Sequence, residues 1–530
     1  MKRWRGGDQI ERWVASGLLV AERQFPKGDR LSADTNAAFR DGQCRSKEAA
    51  CEGSSGRVVY ELPRVATCNG VPGNLSGILD HSVTRIAILG AGLSGMAAAN
   101  VLPDQDVVIY EARERAGGHA SSFSFDRFTF DEGPHVSFTP DQRIREFFAD
   151  SVQNEFLEHP SYADNYYHGI FLRHPVQTNL YGMPPEVVRD CLAGFVRAQY
   201  EDQRDVRSYL DWCYKQLGTV ISETFTRVYT RKYWTRELED LTTDWVSQRI
   251  YAPKLEEVLD GALGCQPKGQ HYYMSTFRYP KLGGFEAYSR GLQQGARIRF
   301  GQRVAEVDLR RKKLTFANGL TEHYDHLISS LVLPELISMI LDAPKPVRDA
   351  AAKLACTSHF LVSVGVKRPQ ISQAYWTYYY DEEIPFSRLS FPSKFSPDTA
   401  PEACSSVQAE VVHSRFRPLD GRESIVERCI EWLVKCGVLH SASEVLAVDA
   451  RDIQYANVIF DFDRAPNLAL VHGYLSKEGV YRCGRFGDWA YLWTDQAIRS
   501  GERAGNEVRR ALGLRETFFD NEARAKAGKT

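Results

Sequence analysis

The sequence predicts an α/β protein: a Rossmann-like dinucleotide-binding domain, interrupted by a helical region and accompanied by a second domain of mixed or antiparallel sheet. Three observations predict it. An apolar strand runs through a glycine turn into a helix at RIAILGAGLSGMAAANVL. Apolar spacing then takes the helical period over much of residues 141–275, as in PPEVVRDCLAGFVRAQY and SYLDWCYKQLGTVISETF. Alternating runs at HFLVSVGVKR, AYWTYYYDEE and SSVQAEVVHS have the period of antiparallel strands.

Taken in order, residues 1–82 mix Gly, Ser, Arg, Asp and Asn with few apolar periods beyond a short helical pattern at Ile10 to Glu22. They are expected to form a largely disordered extension. Residues 83–140 open the dinucleotide-binding domain as strand (Arg85 to Leu89), helix (Leu93 to Leu102) and strand (Val107 to Tyr110). Residues 141–275 form the mainly helical insertion. Residues 276–345 resume the first domain through ARIRFGQRVAEVDLRRKKLTFANG and HYDHLISSLVL, a pattern expected to continue the βαβ arrangement. Residues 346–470 make the substrate domain, 471–512 close the first domain with a helix near Asp495 to Leu512, and 513–530 are a tail.

Composition narrows the function classes. A chain of 530 residues, 43% hydrophobic and 25% charged, suits two or three globular domains. A net charge of -2 gives no general attraction to nucleic acid or anionic membrane. The 11 cysteines include no C-x-x-C pair, which argues against a disulfide framework and a zinc site, and no metal is expected. No apolar run is long enough to span a membrane, and charges interrupt the N-terminal segment where a signal peptide needs an apolar core. The expected location is cytoplasmic, with peripheral attachment through a surface helix left open.

Gly90, Gly92 and Gly95 have G-x-G-x-x-G spacing, so the backbone at Leu93 and Ser94 faces a pyrophosphate at a helix N-terminus. Glu111 ends the next strand about 20 residues on, the reach of a ribose 2′-hydroxyl, and Ala112 follows it. An acid at this position also disfavours a 2′-phosphate.

Glu111 to Gly118, read as E-x-x-x-x-x-G-G, is similar to the second signature of the FAD-binding superfamily that contains amine oxidases, protoporphyrinogen oxidases, phytoene desaturases and UDP-galactopyranose mutases. The resemblance implies a glutathione-reductase-like fold with FAD as cofactor. Gly117 and Gly118 match the paired glycines, but His119 stands where the superfamily usually has Arg, so a phosphate contact is either weaker or supplied by Arg113, Arg115 or Ser121. FDEGPHVSF resembles the loop that passes the isoalloxazine ring, shaped by Gly133 and Pro134, with Asp131 and Glu132 expected to tie it. By the same resemblance the Val304 backbone meets adenine. GVYRCGRFGDWAYLWTDQAIRSG resembles the flavin-binding tail, with Gly484, Arg485, Asp495, Gln496 and Ala497 at the cofactor.

A flavin supplies its own redox chemistry, so catalytic side chains leave little trace in sequence. The candidates are His135, Tyr279 and Lys281. Arg173, Arg249, Tyr279, Lys281 and Arg485 are candidates for a basic pocket that meets a diphosphate or carboxylate. Tyr378 and Tyr380 are candidate substrate walls. The resemblance to mutases would put a second His at the position of Phe138, which weakens a sugar-ring mutase. The expected function is FAD-dependent oxidation of a small organic substrate by hydride transfer to flavin, with oxygen or a redox partner as acceptor. The alternative is a non-redox, UDP-galactopyranose mutase-like isomerase of a nucleotide sugar; a third class is a flavoprotein scaffold without turnover.

Overall fold

A computed structural model describes residues 84–201, 204–246, 249–265, 274–419 and 421–518, all within one unit, Asp80–Thr530. The extension expected over 1–82 and the end of the tail lie outside the described residues.

The dinucleotide-binding sheet has five parallel strands in the order Val480–Arg482, His326–Ser329, Arg85–Leu89, Asp106–Tyr110 and Ile298–Arg299. Leu89 lies beside both Tyr110 and Ser329, so segments far apart in the chain end on one edge. Three of the five strands come from beyond residue 297, as a discontinuous domain requires. The helix Leu93–Asn100 packs on the long C-terminal helix Thr494–Ala511. This approach depends on Gly501, where a Cβ would lie 2.1 Å from the Ser94 carbonyl oxygen.

Resumption after the insertion differs from the βαβ expectation. Beyond Ile298–Arg299 the chain forms an antiparallel meander of Val304–Asp308, Lys313–Phe316 and Thr321–His323. The connecting segments LRRK and ANGL are too short for a crossover helix, which needs a dozen or more residues.

The second sheet has seven strands in the order Val445–Ile453, Ser358–Val366, Ser405–His413, Arg388–Ser390, Trp376–Tyr379, Ala163–Tyr167 and Ile170–Arg173. Its last two strands come from the segment expected to be mainly helical, and Phe156–Pro160 pairs with Thr276–Pro280. Aromatic and branched residues flank the His168–Gly169 turn, both with positive φ, and strand propensity prevails there. The helices of that segment are Gln142–Ser151, Pro185–Glu201, Tyr209–Leu217, a run from Thr219 to Tyr233, and Leu255–Leu263. A π-helical turn at Ser222–Arg227 interrupts that run. Such turns re-aim the residues that follow, here Tyr229 and Tyr233.

Candidate functional site

A cavity of about 420 Å³ opens at the carboxyl edge of the parallel strands, where α/β sheets place their ligands. Gly90, Glu111, Ser330 and Gly484, each just past a strand, line it. So do Gly92, Leu93, Ser94, Gly117, Gly118, His119, Gly133, Pro134, His135, Arg485 and Ala497. Gly95 lies behind the wall and makes the turn: a Cβ there would sit 2.0 Å from the Gly90 carbonyl oxygen. Gly117 at φ 111 brings the second glycine turn against the first, with a bridge between Gly92 and Gly117. The result is a floor of bare backbone at a helix N-terminus, which suits an anionic phosphate.

Glu111 is aimed by its own neighbourhood. Its two oxygens accept the backbone N–H groups of Ala91 and Arg113, each at 2.8 Å. Glu132, by contrast, is consumed within the protein: Arg113 donates to it at 2.8 Å, and His119 and Arg115 lie at 3.3 and 3.5 Å. Burial pushes its carboxyl up, but the His119 hydrogen bond and the Arg113 charge hold it below the usual range. Neither Arg113 nor Arg115 borders the cavity, whereas His119 does.

Asp131 ties the adjoining loop. It accepts from Ser122 Oγ at 2.6 Å, Tyr279 Oη at 2.8 Å and the Phe285 N–H at 3.0 Å, and burial raises its carboxyl to about 6. His135 Nδ1 lies 2.8 Å from the Gly133 carbonyl and donates to it, leaving Nε2 as an acceptor. Burial lowers this histidine to about 4, so it is neutral near pH 7.

Several expected residues lie elsewhere. Tyr279 is fully buried behind the wall, with its hydroxyl spent on Asp131. Lys281 is exposed and paired with Glu155 at 2.7 Å. Arg173 lies on an edge strand, stacked over Tyr162 at 4.8 Å, outside both this cavity and the second chamber. Ala112 and Val304 do not border the cavity, and Val304 is packed into the core. Asp495 accepts from Thr139 Oγ1 at 2.7 Å, and Gln496 caps its helix by accepting the Trp493 N–H at 2.9 Å. Of that helix, Thr494 and Ala497 reach the cavity.

A second chamber of about 360 Å³ adjoins the first. Tyr233, Arg249, Arg388 and Tyr491 line both and form the neck between them. Arg249 lies over the rings of Tyr491 and Trp493, at 3.9 and 3.7 Å. Arg388 makes two 3.0 Å bonds to the fully buried Glu410, whose charge holds the guanidinium charged against the cost of burial. Tyr378 and Tyr380 line the chamber, joined by Tyr229 and His174. His174 packs on Tyr378 at 4.6 Å, and burial lowers it to about 3. Among the described residues no carboxylate lines the second chamber.

Sequence reasoning missed Tyr229, Tyr233, Arg388, Tyr491 and His174. The i, i+4 pair Tyr229 and Tyr233 is the one local signal, since such pairs share a helix face; their rings stack at 5.5 Å.

The family model for flavin containing amine oxidoreductases matches residues 93–508, most of the chain. The chain belongs to the flavin containing amine oxidoreductase family. Its cofactor is FAD, and the glycine floor, the aimed Glu111 carboxylate and the helix end at Thr494 fit the pyrophosphate, ribose and flavin of that molecule. At the level the family shows, the protein is a flavin-dependent oxidoreductase.

Similar curated proteins are 4,4'-diapophytoene desaturases of Staphylococcus haemolyticus, 47% identical over 58 residues, and of Staphylococcus aureus, 41% identical over 59 residues. Each match covers 11% of this chain, which spans 12% of either desaturase. Among solved structures, a reduced UDP-galactopyranose mutase is similar at TM-score 0.76 and 25% identity, over 83% of this chain and 98% of the mutase. Cyclohexylamine oxidase from Brevibacterium oxydans, at TM-score 0.59 and 14% identity over 81% of this chain and all of the oxidase, shares the fold. No helix among the described residues is long and apolar enough to cross a membrane.

Proposed function

We propose that this flavoprotein oxidises a small anionic organic substrate held across the neck between the two chambers. The observation that carries this reading is the lining of the second chamber: the Arg249 guanidinium, beside Arg388 paired to Glu410 behind it, and no carboxylate among the described lining residues. Such a wall disfavours a protonated amine and favours a carboxylate or phosphate, which Arg meets with a fork of donors. The chemistry FAD supplies when bound is acceptance of a hydride from that substrate, with oxygen or a redox partner taking the electrons onward.

The protein's own groups take supporting roles. Arg249 and Arg388 bind the anionic group, and Tyr229, Tyr378 and Tyr380 give an aromatic wall that excludes water. His135 is held by Gly133 with its Nε2 free to accept; a histidine lowered to about 4 is a weak base, so it orients a substrate hydroxyl rather than removing an unactivated proton.

A second reading, non-redox isomerisation of a nucleotide sugar, is favoured by the likeness over 98% of the mutase and by arginines suited to a diphosphate. Against it, Phe138 borders the flavin cavity edge-on to Trp493 at 4.9 Å, in the place where resemblance would put the second histidine. An anaerobic titration separates the readings. Organic acids bearing an oxidisable hydroxyl or amino group are expected to bleach the flavin absorbance, and simple alkylamines are not. Bleaching by alkylamines alone would overturn the anionic reading. Conversion of a UDP-sugar by the chemically reduced protein, with no donor bleaching the flavin, would put the isomerase first.

A further inference from the structure

Behind the neck lies a chain of polar groups whose direction is set by one amide. Asn457 is 4% exposed, and its backbone N–H donates to Thr357 Oγ1 at 3.2 Å. Its carboxamide has one accepting and one donating end, and three neighbours decide which way it faces. Arg485 carries only donors, and its Nη1 lies 3.1 Å from Oδ1, so the oxygen must face the guanidinium. Arg485 is itself fixed by the carbonyls of Ala456 at 2.9 Å and Leu492 at 2.6 Å. Both amide hydrogens therefore point the other way, to Tyr233 Oη at 3.2 Å and His359 Nε2 at 3.3 Å.

Two consequences follow. His359 accepts at Nε2, so its proton sits on Nδ1, on the side of Glu410 at 3.7 Å. Tyr233 accepts from Asn457, so its own hydrogen goes to its other partner among the described residues, Tyr491 Oη at 2.9 Å. Tyr491, having accepted, turns its hydrogen away from Tyr233. We infer that Asn457 is a positioning residue: by reading the Arg485 charge it polarises the Tyr233–Tyr491 pair and makes Tyr491 a hydrogen-bond donor into the neck. With Arg249 and Arg388 beside it, the neck then turns donors toward a ligand, and one that brings acceptors is favoured. Asn457 acts through Tyr491. This selectivity rests on the anionic reading above; the direction of the chain does not.

The test uses the FAD-loaded protein with two independent readouts. Nitrogen NMR of histidine-labelled protein, with the His359 signals assigned by comparison with His359→Gln, is expected to show Nδ1 protonated and Nε2 bare. Asn457→Asp, the same shape with two accepting oxygens, is expected to move that proton to Nε2. An Nε2 proton in the unaltered protein would overturn the proposal outright.

The second readout is binding of inorganic pyrophosphate, followed through the flavin absorbance. Tyr491→Phe removes one hydrogen bond to a charged ligand and is expected to weaken binding about tenfold. Asn457→Asp is expected to weaken binding by that factor beyond its charge effect, and the extra factor should vanish when it is made in Tyr491→Phe. Equal losses in both backgrounds would overturn the relay. Failure of the unaltered protein to bind pyrophosphate would count against the anionic reading, while the histidine proton would still decide the relay.

Discussion

The cofactor cradle and the chamber beyond it are built in opposite ways. In the cradle, Gly90 to Gly95, Glu111, Gly117 to Gly118 and Gly133 to His135 lie close together in sequence, and the contact surface is largely backbone. In the chamber, Arg249, Arg388, Tyr229, Tyr378 and Tyr491 come from separate segments, and the surface is side chain. A backbone-made site constrains residue types one by one, because only glycine permits the approach. A side-chain-made site constrains a sum, the charge and volume of a wall, that many sequences satisfy. The two regions should therefore fail differently when altered.

The largest effect is expected in the cradle. Gly95→Val places a side chain where Cβ alone would lie 2.0 Å from the Gly90 carbonyl oxygen, so the turn must open. Purified Gly95→Val is expected to carry no FAD, read from the ratio of flavin to protein absorbance, whereas Tyr229→Phe keeps a full complement. Retention of FAD by Gly95→Val would break the contrast.

Next comes the chamber's buried ion pair. Arg388→Met leaves Glu410 buried without its partner, a loss on the order of 3–5 kcal/mol in unfolding free energy. Arg388→Met combined with Glu410→Leu is expected to recover most of that stability without recovering anion binding. Urea unfolding midpoints, set beside pyrophosphate affinity, separate the two roles. If the double variant is as unstable as the single one, the cost lies in packing rather than in a stranded charge.

The histidines give a smaller, pH-dependent effect. His174 and His359 are each lowered by burial to about 3, against about 6.5 in the unfolded chain. Below pH 6.5 the unfolded chain takes up protons that the fold refuses, so each histidine costs stability as pH falls toward 3. Asp131 and Asp164, raised to about 6 chiefly by burial, work the other way between about 4 and 6. His174→Gln is expected to flatten the loss of stability between pH 6 and 4 by about 1.4 kcal/mol per pH unit. An unchanged slope would mean that His174 is protonated in the fold, and that the chamber is wetter than its aromatic wall implies.

How much was legible follows from the same division. Strand, glycine turn, helix and acid at Arg85 to Glu111 were readable because each position is set by local geometry. His135, Arg249, Tyr378 and Tyr380 were found through motif or chemical type, and the structure brings them to the cavities. Asp495 and Gln496 were placed at the right helix but one layer too close, since neither borders the cavity. The strands at Ala163–Tyr167 and Ile170–Arg173 fall inside the region expected to be helical: the first joins the sheet through Trp376–Tyr379, some two hundred residues on, and the second pairs with the first alone. Tyr491 lies in the flavin-tail segment but nothing there singles it out, and Arg388 had no local mark at all; they matter because the fold aims both at one neck.

The smallest expected effects test whether position, rather than residue type, makes the anion site. Lys281 and Arg173 are candidates on the same chemical ground as Arg249: a cation suited to a diphosphate or carboxylate. The fold separates them. Lys281 is 53% exposed beside Glu155, and such surface pairs contribute little. Arg173 lies over Tyr162, outside both cavities. Lys281→Ala and Arg173→Ala are expected to leave FAD content and pyrophosphate affinity unchanged. Arg249→Lys keeps the charge but loses the planar fork stacked over Tyr491 and Trp493, and should weaken pyrophosphate binding by about 1 kcal/mol. A loss at Lys281→Ala as large as that at Arg249→Lys would mean that the anion is held by the field of the whole surface rather than by the neck. In that case raising the salt concentration should abolish binding in every variant alike, because exposed charges are screened and a half-buried guanidinium in the neck is screened far less.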